Sequence, residues 1–372
     1  PGFESTLKAT NGIVAEQKSW LDRLKGEFNG MLFETKYVDR FAPLRAVAER
    51  MKEPLHATQM MYYLRMHDQR MSFVSQTASH GPLDLVKAND GKGFVIRSTE
   101  GANLADMAKA LGKARVGNEQ ATIRVFSLWM FAQRAKTVGI NKLDTSGKIT
   151  QQMLDEVERN VAMDKQTAAA FKEASDIYAD YNVGLINFAT KMGAISKKDA
   201  AEMLKNRNFV PFYRQRPNTK EVFLEIGGAP AIKIGNLTDQ PYLHELIGGD
   251  QPIFDIFTSA LQNTSMLTDM ALRNNATKEV ANSLASLGML KTNPESTKDK
   301  GIRKGDGKMG PNIIRFKIDG ENYWAEVDTK TTDIPSELLV KGLEGVNTAL
   351  PQIVKTFGLT GSFLRKWITR NP

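Results

Sequence analysis

The chain of 372 residues contains no cysteine. Disulfides, zinc–thiolate centres, iron–sulfur clusters and cysteine nucleophiles are thereby excluded, and the fold is indifferent to redox compartment. Histidine is scarce. The four are His56, His67, His80 and His244, and no two stand at metal-ligand spacing. His244-Glu245 in YLHELIGGD would need a second histidine at position 248, which is Gly248. No apolar run approaches the roughly 18 residues of a membrane-spanning helix, so no transmembrane segment is expected. The glycine pairs Gly227-Gly228 and Gly248-Gly249 lack the spacing of a dinucleotide site, and GIRKGDGKMG lacks the Lys-Ser/Thr ending of a phosphate loop. LDTSGKITQQMLDEVE, from Leu143, sets its glycine too early for a calcium loop that begins at Asp144. A polar loop capping the next helix is the better reading. No Ser/His/Asp arrangement is carried by a local motif. We therefore expect no catalytic, cofactor-binding or metal-binding residues.

What is present describes a globular chain. Hydrophobic residues make up 41% and charged residues 25%, enough apolar material for a packed core. Fifty Lys and Arg against 42 Asp and Glu leave a formal charge of +8, with both signs spread along the chain. Such a mild excess suits contact with nucleic acid or an anionic surface. The chain starts at Pro1 and stops at Arg370-Asn371-Pro372, and it reads as a piece of a longer polypeptide.

From about Ser5 to Lys205 the pattern is helical. Trp20, Leu24 and Phe28, then Leu44, Val47 and Met51, recur at three- and four-residue spacing. A helix is expected over 56–76, others from Asn103, over 118–138, 150–163 and 166–192, and a short one after the N-cap Ser196. A short strand is read at Phe94 to Arg97. NFVPFYRQRP, 208–217, ends this regime, because Pro211 and Pro217 forbid a continuous helix. Short strands follow at 221–226 and 231–234, then a long amphipathic helix over 252–287. Residues 291–310, with four glycines and six Lys or Arg against three acids, read as a mobile polar loop. NIIRFKIDGENYWAEVD, 312–328, is a hairpin signal: two β-rich runs flank Asp319-Gly320, which suits a tight turn with positive φ. A lone hairpin is marginal, so the preceding long helix is expected to cover it. Residues 335–368 are again helical in pattern.

The expected fold is mainly α, a multi-helix assembly with a small antiparallel β component in the C-terminal half. We divide the chain into a helical region (1–207), a junction (208–220) and a mixed region (221–372), and the two sides of the junction can share one core. Basic and aromatic residues mingle at two places. Arg207, Phe209, Phe212, Tyr213, Arg214 and Arg216 surround the junction, and Arg365, Lys366, Trp367 and Arg370 gather at the end. Aromatics that stack bases beside cations that meet phosphate have this composition, so these ten are the candidate contacts for nucleic acid or a protein partner. Aromatics that pack a junction while arginines cap helix ends have it too, and with no nucleic-acid motif alongside the structural reading outweighs the other.

KYVDRFAPLRAV (36–47), YYLRMHDQR (62–70), NFVPFYR (208–214), NIIRFKIDGENYWAEVD (312–328) and FLRKWITRNP (363–372) resemble, in that order, motifs of the large polyvalent proteins of giant bacteriophages and related mobile elements. The resemblance runs from about 36 to 372. It implies that the 208–217 stretch is a structural corner rather than a catalytic loop. It also implies a non-enzymatic connecting segment of a virion-packaged internal protein, delivered into the host cell envelope or cytoplasm with the genome. The partners it implies are portal, tail or other internal virion proteins, copies of itself, and DNA. Two rival expectations are a nucleic-acid-binding module beside a polymerase or methylase, and a cryptic enzyme or toxin domain. The 16 methionines would suit a chain that unfolds and repacks, though an ordinary helical core uses methionine as freely.

Overall fold

A computed structural model describes residues 42–89, 91–144, 146–205, 210, 253–293, 299–307, 310 and 312–328. The expected helices at 20–28 and 335–368 and the expected strands at 221–226 and 231–234 lie outside the described residues. Helices dominate, as the periodicity predicts: α1 (Ala42–Glu49), α2 (Pro54–Asp68), α3 (Arg70–His80), α4 (Leu104–Leu111), α5 (Glu119–Val138), α6 (Gln151–Met163), α7 (Lys165–Lys191), α8 (Lys197–Leu204) and α9 (Ile256–Ser286). Their starts are chemically marked. Asn103, Asn118, Thr150, Asp164, Ser196 and Asp255 each accept a hydrogen bond from a backbone N–H of the first turn, which satisfies donors that the helix itself leaves free.

The expected single helix over 56–76 is two helices. The chain breaks at Gln69 (φ −88°, ψ 13°), with neither glycine nor proline to announce it. The break is held from outside, by contacts described below.

Among the described residues, two small antiparallel sheets accompany the helices. β1 (Leu83–Lys87) pairs with β2 (Phe94–Ser98) in the helical half; the sequence predicts only the second. β3 (Ile302–Lys304), β4 (Ile313–Ile318) and β5 (Glu321–Glu326) form a sheet of order β3-β5-β4. The 312–328 hairpin is present in the predicted register, with Ile318 opposite Glu321 and with Asp319 and Gly320 at φ 50° and 76°. The expected mobile loop at 291–310 supplies β3, whose Arg303 is paired with Trp324.

The sequence predicts an amphipathic α9 with one apolar stripe. The helix is instead buried around most of its circumference for most of its length, polar residues included. The physical reason is its position. It packs against α1, α2, α3, α5, α7 and β4, and only its last turns, at Asn282 and Ser286, are open to water. Its first half joins a cluster with Phe126, Phe131, Phe171, Tyr178, Tyr181 and Phe188. Its second half, through Val280, Ala281 and Leu284, joins a cluster with Leu44, Val47, Met60, Leu64, Phe316 and Val327. The hairpin is thus covered by the long helix, and residues from both sides of 208–220 share a core.

One close approach fixes how β1 seats on α7. A Cβ on Gly184 would lie 1.9 Å from Pro82 Cγ and 2.4 Å from its Cβ. A Gly184→Ala substitution therefore pushes the proline ring and β1 away from the helix. We expect a net loss of about 1–3 kcal/mol, in spite of the ~1 kcal/mol by which alanine favours a helix over glycine. Urea denaturation of the single variant measures it.

Candidate functional site

The ten sequence-nominated contacts, Arg207, Phe209, Phe212, Tyr213, Arg214, Arg216, Arg365, Lys366, Trp367 and Arg370, lie outside the described residues. The chemistry that the described residues bring together is elsewhere, on the polar side of α9.

Ser259, Gln262, Asp269 and Arg273 are spaced by three, seven and four, so they share one face of α9. α2 and α3 run antiparallel along this helix: His56 acts on Glu279, Tyr63 meets Asn275, and His67 and Arg70 meet Asp269. The last contact is the tightest. His67 Nε2 lies 3.3 Å and Arg70 Nε 2.9 Å from the same oxygen, Asp269 Oδ1. Arg70 also reaches back across the Gln69 break to donate to the His67 carbonyl at 3.1 Å. The two-helix break thus lets one short stretch aim an imidazole and a guanidinium at one carboxylate, although the two residues belong to different helices.

Burial sets the electrostatics of this cluster. His67 is 3% exposed. Its pKa is lowered, first by loss of solvation and then by Arg70 and Arg273, against the opposing pull of Asp269. The neutral imidazole, in its Nε2–H tautomer, donates to Asp269. Burial alone would raise the Asp269 carboxyl, but the His67 hydrogen bond and the Arg70 and Arg273 charges outweigh it and hold the group below its ordinary value. A neutral histidine beside an ionised aspartate is the state that these neighbours favour.

The seam continues toward the start of α9 with fewer satisfied groups. Thr77 on α3 and Ser259 and Gln262 on α9 are further buried polar residues of these two helices. Thr77 Oγ1, Ser259 Oγ and both polar atoms of Gln262 are buried with no hydrogen-bond partner among the described residues. Interfaces of this composition adhere less strongly than apolar ones of the same area.

A second polar device lies on the other side of α9. Asn274, fully buried, accepts from the Lys317 N–H at 2.6 Å and donates to the Lys317 carbonyl and the Met192 carbonyl, each at 3.0 Å. Lys317 lies on β4, the edge strand, opposite Asn322. Its N–H and carbonyl face away from β5, so the carboxamide takes the place of a missing neighbour strand and covers the edge. The same corner receives the hairpin turn, where Gly320 N–H donates to the Gly193 carbonyl at 3.1 Å and Lys197 N–H to Asp319 Oδ1 at 3.2 Å.

Other candidates fall to their surroundings. Asp144 turns its carboxylate onto its own loop, accepting from Ser146 N–H, Ser146 Oγ and Ile149 N–H, as a capping loop does. A pocket of about 180 Å³ between Leu111, Gly112, Glu119, Ile123 and Phe257 is smaller than the ~300 Å³ at which ligand sites begin. Trp324 already carries Arg303 over its ring at 5.0 Å. Among the described residues no group of three His, Asp or Glu could hold a metal ion, and no helix is long and apolar enough to cross a membrane.

Sequence reasoning missed His67, Arg70, Asp269, Arg273 and Asn274. The usable signal is the face shared by Ser259, Gln262, Asp269 and Arg273, which places charge on a helix otherwise rich in core residues. No protein-family model, curated protein or solved structure matches the chain.

Proposed function

We propose that the chain is a non-enzymatic packing and interaction segment of an internal protein carried in a tailed-phage particle and delivered into the host with the genome. The observation that carries this reading is the ordered series of motifs at 36–47, 62–70, 208–214, 312–328 and 363–372. The structural roles of two of them support it. In 62–70, Tyr62 Oη accepts from the Ile96 N–H, and His67 and Arg70 hold Asp269. In 312–328, the Lys317 N–H donates to Asn274 and the Lys317 carbonyl accepts from it. These residues tie distant segments to one another and to α9, which is the role of a framework that neighbouring units build upon. Its partners in this reading are portal, tail or other internal proteins and further copies of the chain.

The experiment is quantitative mass spectrometry of purified particles, followed by fractionation of host envelope and cytosol after adsorption with translation blocked. Peptides of this chain in the particles and then in the host are the expected result. Their absence from particles overturns the reading and turns attention to intracellular nucleic-acid binding, which would show itself as affinity falling steeply with salt.

A further inference from the structure

We infer that the buried cluster of His67, Arg70, Asp269 and Arg273 is an acid-operated latch: protonation of His67 releases α2 and α3 from α9, while the remainder of the helical core stays closed. The latch goes beyond the virion reading and does not depend on it.

On α3 and α9, Thr77, Ser259 and Gln262 bury polar atoms without partners among the described residues. Phe73 and Ala78 of α3 and Met60 and Leu64 of α2 belong to the apolar clusters that α9 joins, and the charged part of the contact is the one carboxylate that both His67 Nε2 and Arg70 Nε reach. With His67 neutral, that carboxylate accepts a hydrogen bond from the ring and pairs with a guanidinium. With His67 protonated, a further cation is confined in a site 3% open to water, close to Arg70 and Arg273, which both act against it. Burying a charge is unfavourable in such surroundings, and opening the α2–α3 contact lets the imidazolium reach water.

The charged groups that act on His67 are Asp269 and Arg273 from α9 and Arg70 from α3. On the elements that pack against α2 from its other sides, Glu49 of α1 is exposed, and Arg97 of β2 is exposed and acts on Tyr62. Farther along α9, Glu279 is raised by burial. It works in the opposite direction, favouring the closed state as the pH falls.

The direction of the response follows from linkage. The closed state holds His67 below its ordinary 6.5, and the open state returns it there. The closed form is therefore at full strength above about pH 6.5 and weakens as the pH falls, with the opening constant rising by at most about tenfold per pH unit. Asp269 stays ionised through this range, since its own pKa is depressed.

Hydrogen–deuterium exchange of the intact chain between pH 7.5 and 5, corrected for intrinsic rates, reads the latch directly. Protection over 54–80 should fall below pH 6.5, by at most about tenfold per pH unit, while α5, α6 and α7 hold theirs. In His67→Gln, which keeps a neutral donor, protection over 54–80 should not fall as the pH is lowered, since Glu279 works only in the opposite direction. Wild-type protection that does not change, or an equal fall in His67→Gln, overturns the inference. An NMR titration of the wild-type imidazole gives a second test that needs no variant. A midpoint below 6.5, with protection falling between pH 6.5 and that midpoint, is expected, and a midpoint at or above 6.5 overturns it.

Discussion

Asp269→Asn should destabilise the chain by about 3–5 kcal/mol, the range for breaking a buried ion pair by neutralising one partner. The substitution preserves volume and shape, so packing is unaffected and the loss is electrostatic. The substituted side chain would offer His67 and Arg70 a neutral amide oxygen in place of the carboxylate that now lies 3.3 Å and 2.9 Å from their nitrogens, and Arg273 would lose the same charge. Equilibrium denaturation in urea, with the slope unchanged, measures the loss. A cost below about 1 kcal/mol would mean that the cluster behaves like an exposed salt bridge and has no special hold on α2 and α3.

Asn274→Leu should cost about 3 kcal/mol or more. Leucine fills nearly the same space but removes three hydrogen bonds at once, from the Lys317 N–H and to the carbonyls of Lys317 and Met192. A buried polar group left unmade costs roughly 1–3 kcal/mol. Asn274→Asp distinguishes the two halves of the carboxamide. It keeps an acceptor for the Lys317 N–H but turns a carboxylate toward two carbonyl oxygens, so it should be no better than leucine at neutral pH. Exchange of the amides of β4 should rise in both variants, because the edge that the carboxamide covers is opened.

The parts of this architecture that can be read from sequence are those that local chemistry decides. Ser196 and Asn118 announce their helices because a short polar side chain is the nearest acceptor for free N–H groups. Asp319-Gly320 announces the hairpin because few other pairs tolerate positive φ at both positions. The parts that cannot be read are imposed from a distance. The break at Gln69 has no local cause and exists because Arg70 and His67 are drawn to Asp269, which lies 202 residues beyond His67 in the chain. β3 hides in a glycine-rich stretch, because a three-residue strand carries almost no periodicity and is fixed by its partner, Glu321–Glu326. α9 misleads for the same reason. An amphipathic reading assumes one apolar neighbour and one aqueous side, and this helix is surrounded for most of its length. The site is the least legible of all, since a buried histidine and a buried aspartate become a pair only when the chain has closed.

The central place of α9 also has a consequence for biosynthesis. The helices before residue 205 are built around an element that does not begin until Ile256. At roughly 5–20 residues per second, the ribosome takes on the order of 10–40 s to travel the 202 residues from His67 to Asp269. During that interval the nascent N-terminal half presents apolar faces whose covering has not yet been made. Such high contact order slows folding, and those apolar faces wait uncovered until α9 arrives.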